Sequence, residues 1–571
     1  MSIIKSDAIG RVKLLRYAIL LALLKKERGQ FMSERFGMKS YMKGAALLTI
    51  AALIVKVLSA IYRVPFQNLV GDEGFYIYQQ VYPVISIFVV WTSSGFAVAI
   101  SKMLADNDCI VDPLERNKKR NSIMRIVFRY LTVLSLLFFA ALFGGADMIA
   151  QLMGDTKLAP LIRTGSFIVL VMPALAVVKG GFQSRGIMEP IAYAQVLEQA
   201  VRVSVILAGT FMIMATTKSL YGAGQMAIIG TVVGEVVGFI VLAFIFKKRF
   251  GLLKDKQLQQ RFAGYPIIKE VTLLSLSVSV SGLLLLGYQL VDSFTIYSLL
   301  LDSGMDQTMA KETKGIYDRG QPLVQLGVII ASSLSLAIVP LVAHMSKKKE
   351  GRNAIPFIQL TYRASVLFGG AASLGLVLVM PYINEMLFKT DALSEVLMVY
   401  VLQIVPLSII LTFTAILQGY GKLKKPAIFL IVGFILKIIL NMLTIRLFGV
   451  LGAAVANNVG LLFTALMLVF YLKKMTAVQL ASRSFYKKFG IAAISMTAVV
   501  ILWLQLVPAL LHPFLSPRMV AVIAGFSAVS IGAFVMMTVI AKLRVLAEKE
   551  WYLLPFGRRM AVYQLWLNQK K

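Results

Sequence analysis

The chain has 571 residues, 58% of them hydrophobic, and its 59 Lys and Arg against 27 Asp and Glu give a net charge of +32. Apolar runs of 18 or more residues recur along it, and each is long enough to cross about 30 Å of hydrocarbon, which excludes a soluble globular protein. In such a chain the basic residues report membrane topology and not nucleic-acid binding. The sequence predicts an all-α polytopic membrane protein.

About fourteen transmembrane helices are predicted. They begin near residues 43, 79, 126, 163, 192, 223, 270, 319, 361, 396, 426, 450, 490 and 518. If the N-terminus is cytoplasmic, most Lys and Arg residues fall in loops and tails on that side, as the positive-inside rule requires. We therefore predict a multi-pass protein of the cell membrane with both termini in the cytoplasm.

Residues 1–42 form a basic arm that contains a short apolar run at 17–24. The run is too short to span a bilayer and lacks a small-residue cleavage site, so we do not interpret it as a signal peptide. Two alternatives remain open for the arm. It is an interfacial helix, or translation starts downstream at one of the methionines that precede the first span.

The first predicted span carries two cations, Lys56 and Arg63. They are seven residues apart and therefore lie on one helical face. A cation at the bilayer centre costs roughly 2.5 to 3.5 kcal/mol on the insertion scale, so such a residue usually faces a polar cavity. We expect this of Lys56 in particular, the alternative being that both side chains extend to the membrane surface.

Further charges fall within later spans. Glu198 and Arg202 in the fifth span are four residues apart and can form an ion pair along one face. Lys437 holds a similar depth in the eleventh span. Glu235 in the sixth span and Asp292 in the seventh complete the intramembrane carboxylates. With Glu198, they are candidates for carrying a coupling proton or cation.

Two patterns recur in the same order in both halves of the chain. The spacing from Pro83 to Ser93 equals that from Pro322 to Ser332, and the segment 183–190 resembles the segment 418–426. Such echoes indicate an internal duplication, and six intervening crossings make the repeats parallel. We divide the chain into a basic N-terminal arm (1–42), an N-terminal six-helix bundle (43–250), a cytoplasmic linker (251–269), a C-terminal six-helix bundle (270–475), two further helices (476–545) and a basic amphipathic tail (546–571).

Four segments carry a family resemblance. They are SSGFAVAISK at 93–102, GGFQSRGIMEPIAYAQVLEQAVRV at 180–203, GIYDRGQPLVQLG at 315–327 and ILQGYGKLKKPA at 416–427. With these four segments in this order, the chain resembles members of the MOP superfamily of exporters. Within that superfamily it resembles the bacterial polysaccharide and lipid II flippases that include the stage V sporulation protein B group. The resemblance implies a V-shaped pair of bundles that work by alternating access. It also implies a cargo of undecaprenyl-pyrophosphate-linked glycan, such as lipid II or a related polysaccharide precursor.

The resemblance also suggests a binding site for the pyrophosphate. Lys56 and Arg63 resemble the first-span cations of the lipid II flippases, and Arg319 resembles their eighth-span cation. In the second span the chain departs from the pattern, because residues 91–94 stand where another Arg is expected. This departure leaves the cargo within the family open. The remaining substrate-binding candidates are Arg202, Lys437 and Gln183.

Motifs for nucleotide, metal and sugar-nucleotide binding bear on the alternative functions. No GxxxxGK[ST] segment is present, so we expect transport driven by the membrane potential or by an Na+ or H+ gradient and not by ATP, with no cofactor. His344 and His512 do not make a metal-ligand spacing. A multidrug exporter of the same superfamily is the alternative, favoured by the membrane carboxylates. A glycosyltransferase based on the D-x-D at 106–108 lacks a supporting domain, so we do not expect an enzyme.

The expected partners follow from the same reasoning. They are the lipid-linked glycan and membrane lipids, with cell-wall synthesis proteins as further candidates and no nucleic acid. The sequence leaves open which glycan is carried, which ion is coupled and whether the role belongs to vegetative growth or sporulation.

Overall fold

The computed structural model describes residues 47–48, 50–106, 112–250, 264–329, 331, 333, 355–422, 424–511, 513–554 and 557–569. Within these ranges the chain is helical, with short turns and no strand. Among the described residues, eleven helices are long and apolar enough to cross a membrane. An α-helix pairs its own backbone donors and acceptors, which is what a hydrocarbon environment demands. The predicted all-α polytopic membrane fold is confirmed.

The helices follow the predicted spans in order. The membrane-length helices and helical runs are Ile50–Ala105, Glu115–Gly144, Thr156–Gln183, Glu189–Thr216, Leu220–Phe250, Gly282–Asp302, Ile355–Phe388, Ser394–Gly419, Lys424–Thr476, Arg483–Leu511 and Pro517–Lys542. The helix of the seventh span extends back to give Gly264–Asp302, and the eighth span begins with Gln307–Asp318 and Gly320–Gly327. Residues 334–354 lie outside the described part, so the count of fourteen spans stays a prediction.

Two helical runs are much longer than a membrane is thick. Ile50–Ala105 has 56 residues and Lys424–Thr476 has 53, which corresponds to about 80 Å of helix each. Both contain a bend at a glycine with positive φ, Gly71 at 69° and Gly449 at 56°. Glycine adopts this conformation without the steric cost of a Cβ atom. Each run therefore supplies two crossings, which are the first and second spans and the eleventh and twelfth.

The second of the two sequence echoes forms the same turn in both halves. Gly186 has φ 68° and Gly421 has φ 71°. The Gly186 amide donates to the Gln183 carbonyl at 2.9 Å, and the Gly421 amide donates to the Gln418 carbonyl at 2.9 Å. In each case the next amide donates to the carbonyl five residues before it, which is the hydrogen-bond pattern of a Schellman C-cap. The two similar sequence segments therefore end their helices in the same way.

The seventh span lies between the two halves. Its helix, Gly264–Asp302, packs against the second span on one side and against the eleventh on the other. Trp91 donates to the Ser275 hydroxyl at 3.3 Å, and Gly95 approaches Ser279 so closely that a Cβ atom would lie 2.1 Å from the hydroxyl oxygen. The seventh span is therefore in direct contact with both halves.

The C-terminal tail folds back onto the membrane helices. It contains the helices Glu548–Trp551 and Gly557–Gln569. Trp551 is buried and its indole donates to Gln564 at 2.8 Å, while Glu550 forms an ion pair with Arg363 of the ninth span. The predicted amphipathic tail thus packs against protein on one face and exposes Trp566 on another.

Several expectations concern residues outside the described ranges. They are the arm at 1–42, residues 251–263 of the linker, residues 107 and 108 of the D-x-D, His344 and His512.

Candidate functional site

Charged side chains within the spans form four groups. We call Lys56 and Arg63 the first-span cations. The N-half cluster is Lys179, Glu198, Arg202 and Glu235, and the C-half cluster is Asp292, Lys314, Asp318 and Lys437. The outer bridge, named for the membrane side that the distribution of Lys and Arg in the sequence predicts for it, is Asp72, Glu73, Lys311 and Arg319. Most of these side chains are buried, so their pairing decides which charges are available to a ligand.

Arg63 is a fully buried cation without a countercharge. Its side chain is 0% exposed, and no atom of the described residues accepts a hydrogen bond from its three nitrogens. Its guanidinium carbon lies 4.9 Å from the centre of the Tyr82 ring, which offers a cation–π contact. Burying an ion costs several kcal/mol even after relaxation. A cation kept at this cost beside a tyrosine ring, with no carboxylate of the described residues as its partner, is a candidate site for an anion.

Lys56 lies two helical turns before Arg63 on the same helix. Its side chain is exposed in the isolated chain, and it forms no ion pair or hydrogen bond with the described residues. The first span therefore carries two cations that none of the carboxylates in the described part of the chain neutralises.

In the N-half cluster the charges balance. Arg202 donates to Glu198 at 2.9 Å and to Glu235 at 3.3 Å. The predicted pair of Glu198 and Arg202 along one helix face is present, and Glu235 joins it from the sixth span. Lys179 is buried close enough for its charge to act on Glu235. One arginine thus holds two carboxylates, with a second cation nearby.

A π-helical turn shapes the wall beside this cluster. Trp91–Phe96 winds as a π-helix within the second span, a rare form that occurs mostly as single turns inside α-helices and frequently at functional sites. Lys179 of the fourth span donates to the hydroxyl of Ser93 in this turn at 2.9 Å. A cation from the fourth span therefore stands where the family pattern led us to expect one on the second span.

The C-half cluster is also neutral. The Lys437 ammonium lies 3.0 Å from the Asp292 carboxylate and donates to the Tyr288 carbonyl at 2.6 Å. Lys314 and Asp318 form a second pair at 2.5 Å, with both side chains buried. Asp292 and Lys437, which the sequence suggested separately, are therefore partners.

The outer bridge joins the two halves at the end of the membrane where the first span meets the second. Arg319 is fully buried and donates to both Asp72 carboxylate oxygens at 2.6 Å and to Asn384 at 2.8 Å. Lys311 pairs with Glu73 at 3.0 Å. In this conformation Arg319 is fully engaged, so it holds the halves together and does not present a free charge.

Gln183 lies apart from these groups. It is the last residue of the helix Ala159–Gln183, and its carbonyl takes part in the turn at Gly186. Its side chain is half-buried and makes no hydrogen bond within the described part of the chain.

Sequence reasoning missed six of the charged residues, among them Glu73 and Lys311, which pair across the two halves. Lys314 and Asp318 have the four-residue helical spacing that identified Glu198 and Arg202, so that signal was available. Lys179 directly precedes a segment that carried the family resemblance. Asp72 offered no signal, because its partner lies 247 residues away.

A family model for polysaccharide biosynthesis proteins matches residues 41–346, more than half of the chain. The chain belongs to this family. A second model, MatE, matches residues 315–443 of this polysaccharide biosynthesis family member.

Three relatives of the family member come from Bacillus subtilis (strain 168). The uncharacterized membrane protein YabM is 36% identical over 539 residues, covering 93% of this chain and 98% of YabM. The lipid II flippase MurJ is 24% identical, covering 73% and 80% of the two chains. Stage V sporulation protein B is 24% identical, covering 80% and 88%. The predicted flippase branch is thereby confirmed.

The solved structure of the lipid II flippase MurJ in an inward closed conformation has the same fold. It aligns with a TM-score of 0.66 and 15% identity, covering 87% of this chain and 99% of that one. Multidrug MATE transporters of the MOP superfamily share the fold as well. The family member is thus a multi-pass MOP-superfamily membrane protein whose relatives are flippases and transporters.

Proposed function

We propose that this protein is a flippase that carries a polyprenyl-pyrophosphate-linked glycan across the cell membrane by alternating access. The observation that carries the proposal is the buried, unpaired Arg63. Arg202, Arg319 and Lys437 each face a carboxylate within 3.3 Å, whereas the described residues offer none to Arg63. The surplus charge of the site is therefore positive, and it lies on the first span.

A surplus cation fits a lipid-linked pyrophosphate. Hydrocarbon does not solvate phosphate charge, so the head group needs fixed cations during its passage. An arginine donates paired hydrogen bonds to phosphate oxygens, and Lys56 adds a second charge about 10 Å along the same helix face. The polyprenyl tail remains in the lipid. The name of the relative MurJ, a lipid II flippase, supports this class of cargo.

The membrane potential is the driving force that we propose. An inside-negative potential favours outward movement of an anionic head group by about 2.3 kcal/mol per charge for each 100 mV. The carboxylates suggested for ion coupling already have protein partners, since Glu198 and Glu235 share Arg202 and Asp292 pairs with Lys437. A coupling ion would have to displace one of these side chains.

The test is growth of cells depleted of their essential lipid II flippase and supplied with this protein. We expect the wild type to restore growth, Arg63→Ala to fail and Arg63→Lys to restore it partly, because the ammonium keeps the charge without the paired donors. The matched control is Arg446→Ala, which removes an exposed cation elsewhere. Membrane expression is matched by immunoblot.

The growth results distinguish an error in the proposed function from an error in the proposed binding site. Growth with Arg63→Ala equal to wild type would contradict the assigned site. No growth with the wild type at normal membrane levels would exclude lipid II and direct the search to another lipid-linked glycan.

The second candidate function is export of organic cations. It is favoured by the MatE match at residues 315–443 and by three carboxylates within the spans. In the structure these carboxylates face protein cations, which weakens the case. Ethidium accumulation in cells tests it directly: lower accumulation with the wild type, abolished by Glu235→Gln, would favour the exporter.

A further inference from the structure

A pocket opens at the outer end of the first span, beyond Arg63. Its volume is about 660 Å³. We call it the outer pocket; its lining residues are Val64, Pro65, Asn68, Leu69, Leu207, Phe211, Lys389 and Arg518. The first four belong to the first span, and the lining begins at Val64, the residue after Arg63.

Both halves of the molecule build the outer pocket. The first and fifth spans supply one wall, while Lys389 follows the ninth span and Arg518 begins the fourteenth. The Asn68 amide donates across this boundary to the Leu387 carbonyl at 2.8 Å. A change in the angle between the halves would therefore change the shape of the pocket.

The lining combines an apolar wall with two cations and contains no carboxylate. Phe211 is 62% exposed. Arg518 donates to the Met386 carbonyl at 3.3 Å, and Lys389 is exposed. This composition is complementary to an anionic head group attached to an apolar chain.

We propose that the outer pocket is the exit site of the carried lipid, where Lys389 and Arg518 receive its pyrophosphate and the apolar wall holds the first part of its polyprenyl chain. The inference rests on the proposed function. We assign the site to the carried lipid and not to bulk phospholipid because residues of both halves build the pocket and its first-span wall directly follows Arg63 in the chain.

The experiment uses the full chain in phosphatidylcholine nanodiscs with p-benzoylphenylalanine in place of Phe211. Radiolabelled undecaprenyl pyrophosphate is added, and crosslinking is measured after illumination. In Lys389→Ala/Arg518→Ala we expect about 30-fold less crosslinking, since each of the two cations contributes about 1 kcal/mol to anion binding near a membrane surface. Arg446→Ala is the matched control and should crosslink as the parent does.

Two further arms identify the ligand. An excess of phosphatidylglycerol in the nanodiscs should leave crosslinking unchanged; equal competition would assign the pocket to bulk anionic lipid and overturn the proposal. Equal crosslinking in the parent and the double variant would also overturn it. A flipping assay on fluorescent undecaprenyl-pyrophosphate glycan in liposomes tests the wild type independently. Its failure would reject the proposed function, whereas flipping without crosslinking would reject the exit site alone.

Discussion

The outer bridge makes a quantitative prediction about opening. Arg319→Met removes the guanidinium that contacts both Asp72 oxygens at 2.6 Å. Breaking a fully buried pair costs about 3 to 5 kcal/mol. The Asp72 side chain is 19% exposed, so water recovers part of this, and we expect a loss of about 2 kcal/mol in the closed state. The outer-open population should then rise about 30-fold.

Labelling of a buried cysteine measures that population. Gln321 is 4% exposed and accepts a hydrogen bond from Gln79 of the other half at 3.1 Å, so separation of the halves exposes it. Gln321→Cys is introduced together with Cys109→Ser, which removes the sole native cysteine. The rate of modification by a polar maleimide in detergent should rise about 30-fold on adding Arg319→Met.

A double-mutant cycle isolates the pair. Asp72→Leu should raise the labelling rate as well, and the double variant should label no faster than the single variants, because each change breaks the same contact. Arg446→Ala should leave the rate unchanged. An unaltered rate with Arg319→Met, or effects of the two single changes that simply add, would refute the reasoning.

Two further predictions concern stability. Lys437→Met leaves Asp292 buried without its cation and should lower the free energy of unfolding by about 3 kcal/mol. The double variant Lys437→Met/Asp292→Leu should recover most of this loss. Both are measured by thermal unfolding in detergent, and a double variant without recovery would contradict the pairing. Gly186→Ala and Gly421→Ala should each cost about 1 kcal/mol, because both glycines have positive φ. Gly375→Ala, within a helix and without close neighbours, should be neutral or stabilising in the same assay.

The fold was predictable because its determinants are local. A membrane span is determined by about 20 consecutive residues, and a helix end such as that at Gly186 is determined by a few neighbouring residues. The segments around Gly186 and Gly421 are therefore recognisably similar in sequence, and they form the same hydrogen-bond pattern.

The site was predictable only in part, because pairing is not local. Arg63 and Arg319 were chosen for the same reason, as cations within spans, yet the structure leaves the first unpaired and places the second against Asp72, 247 residues away in the chain. The pattern of residues within one helix carries no information on which side chains of distant helices will meet it. Asp292 and Lys437 illustrate the same limit.

The unpaired charge on the first span breaks the symmetry of an otherwise duplicated architecture. Two halves that arose by duplication would be expected to pair their membrane cations in the same way. Arg63 lies on one half only, however, and Lys314, Arg319 and Lys437 of the other half each contact a carboxylate. If the two halves arose by duplication, the paired charges of the second half now hold its helices together, whereas the first half keeps a buried cation that pairs with none of the described carboxylates.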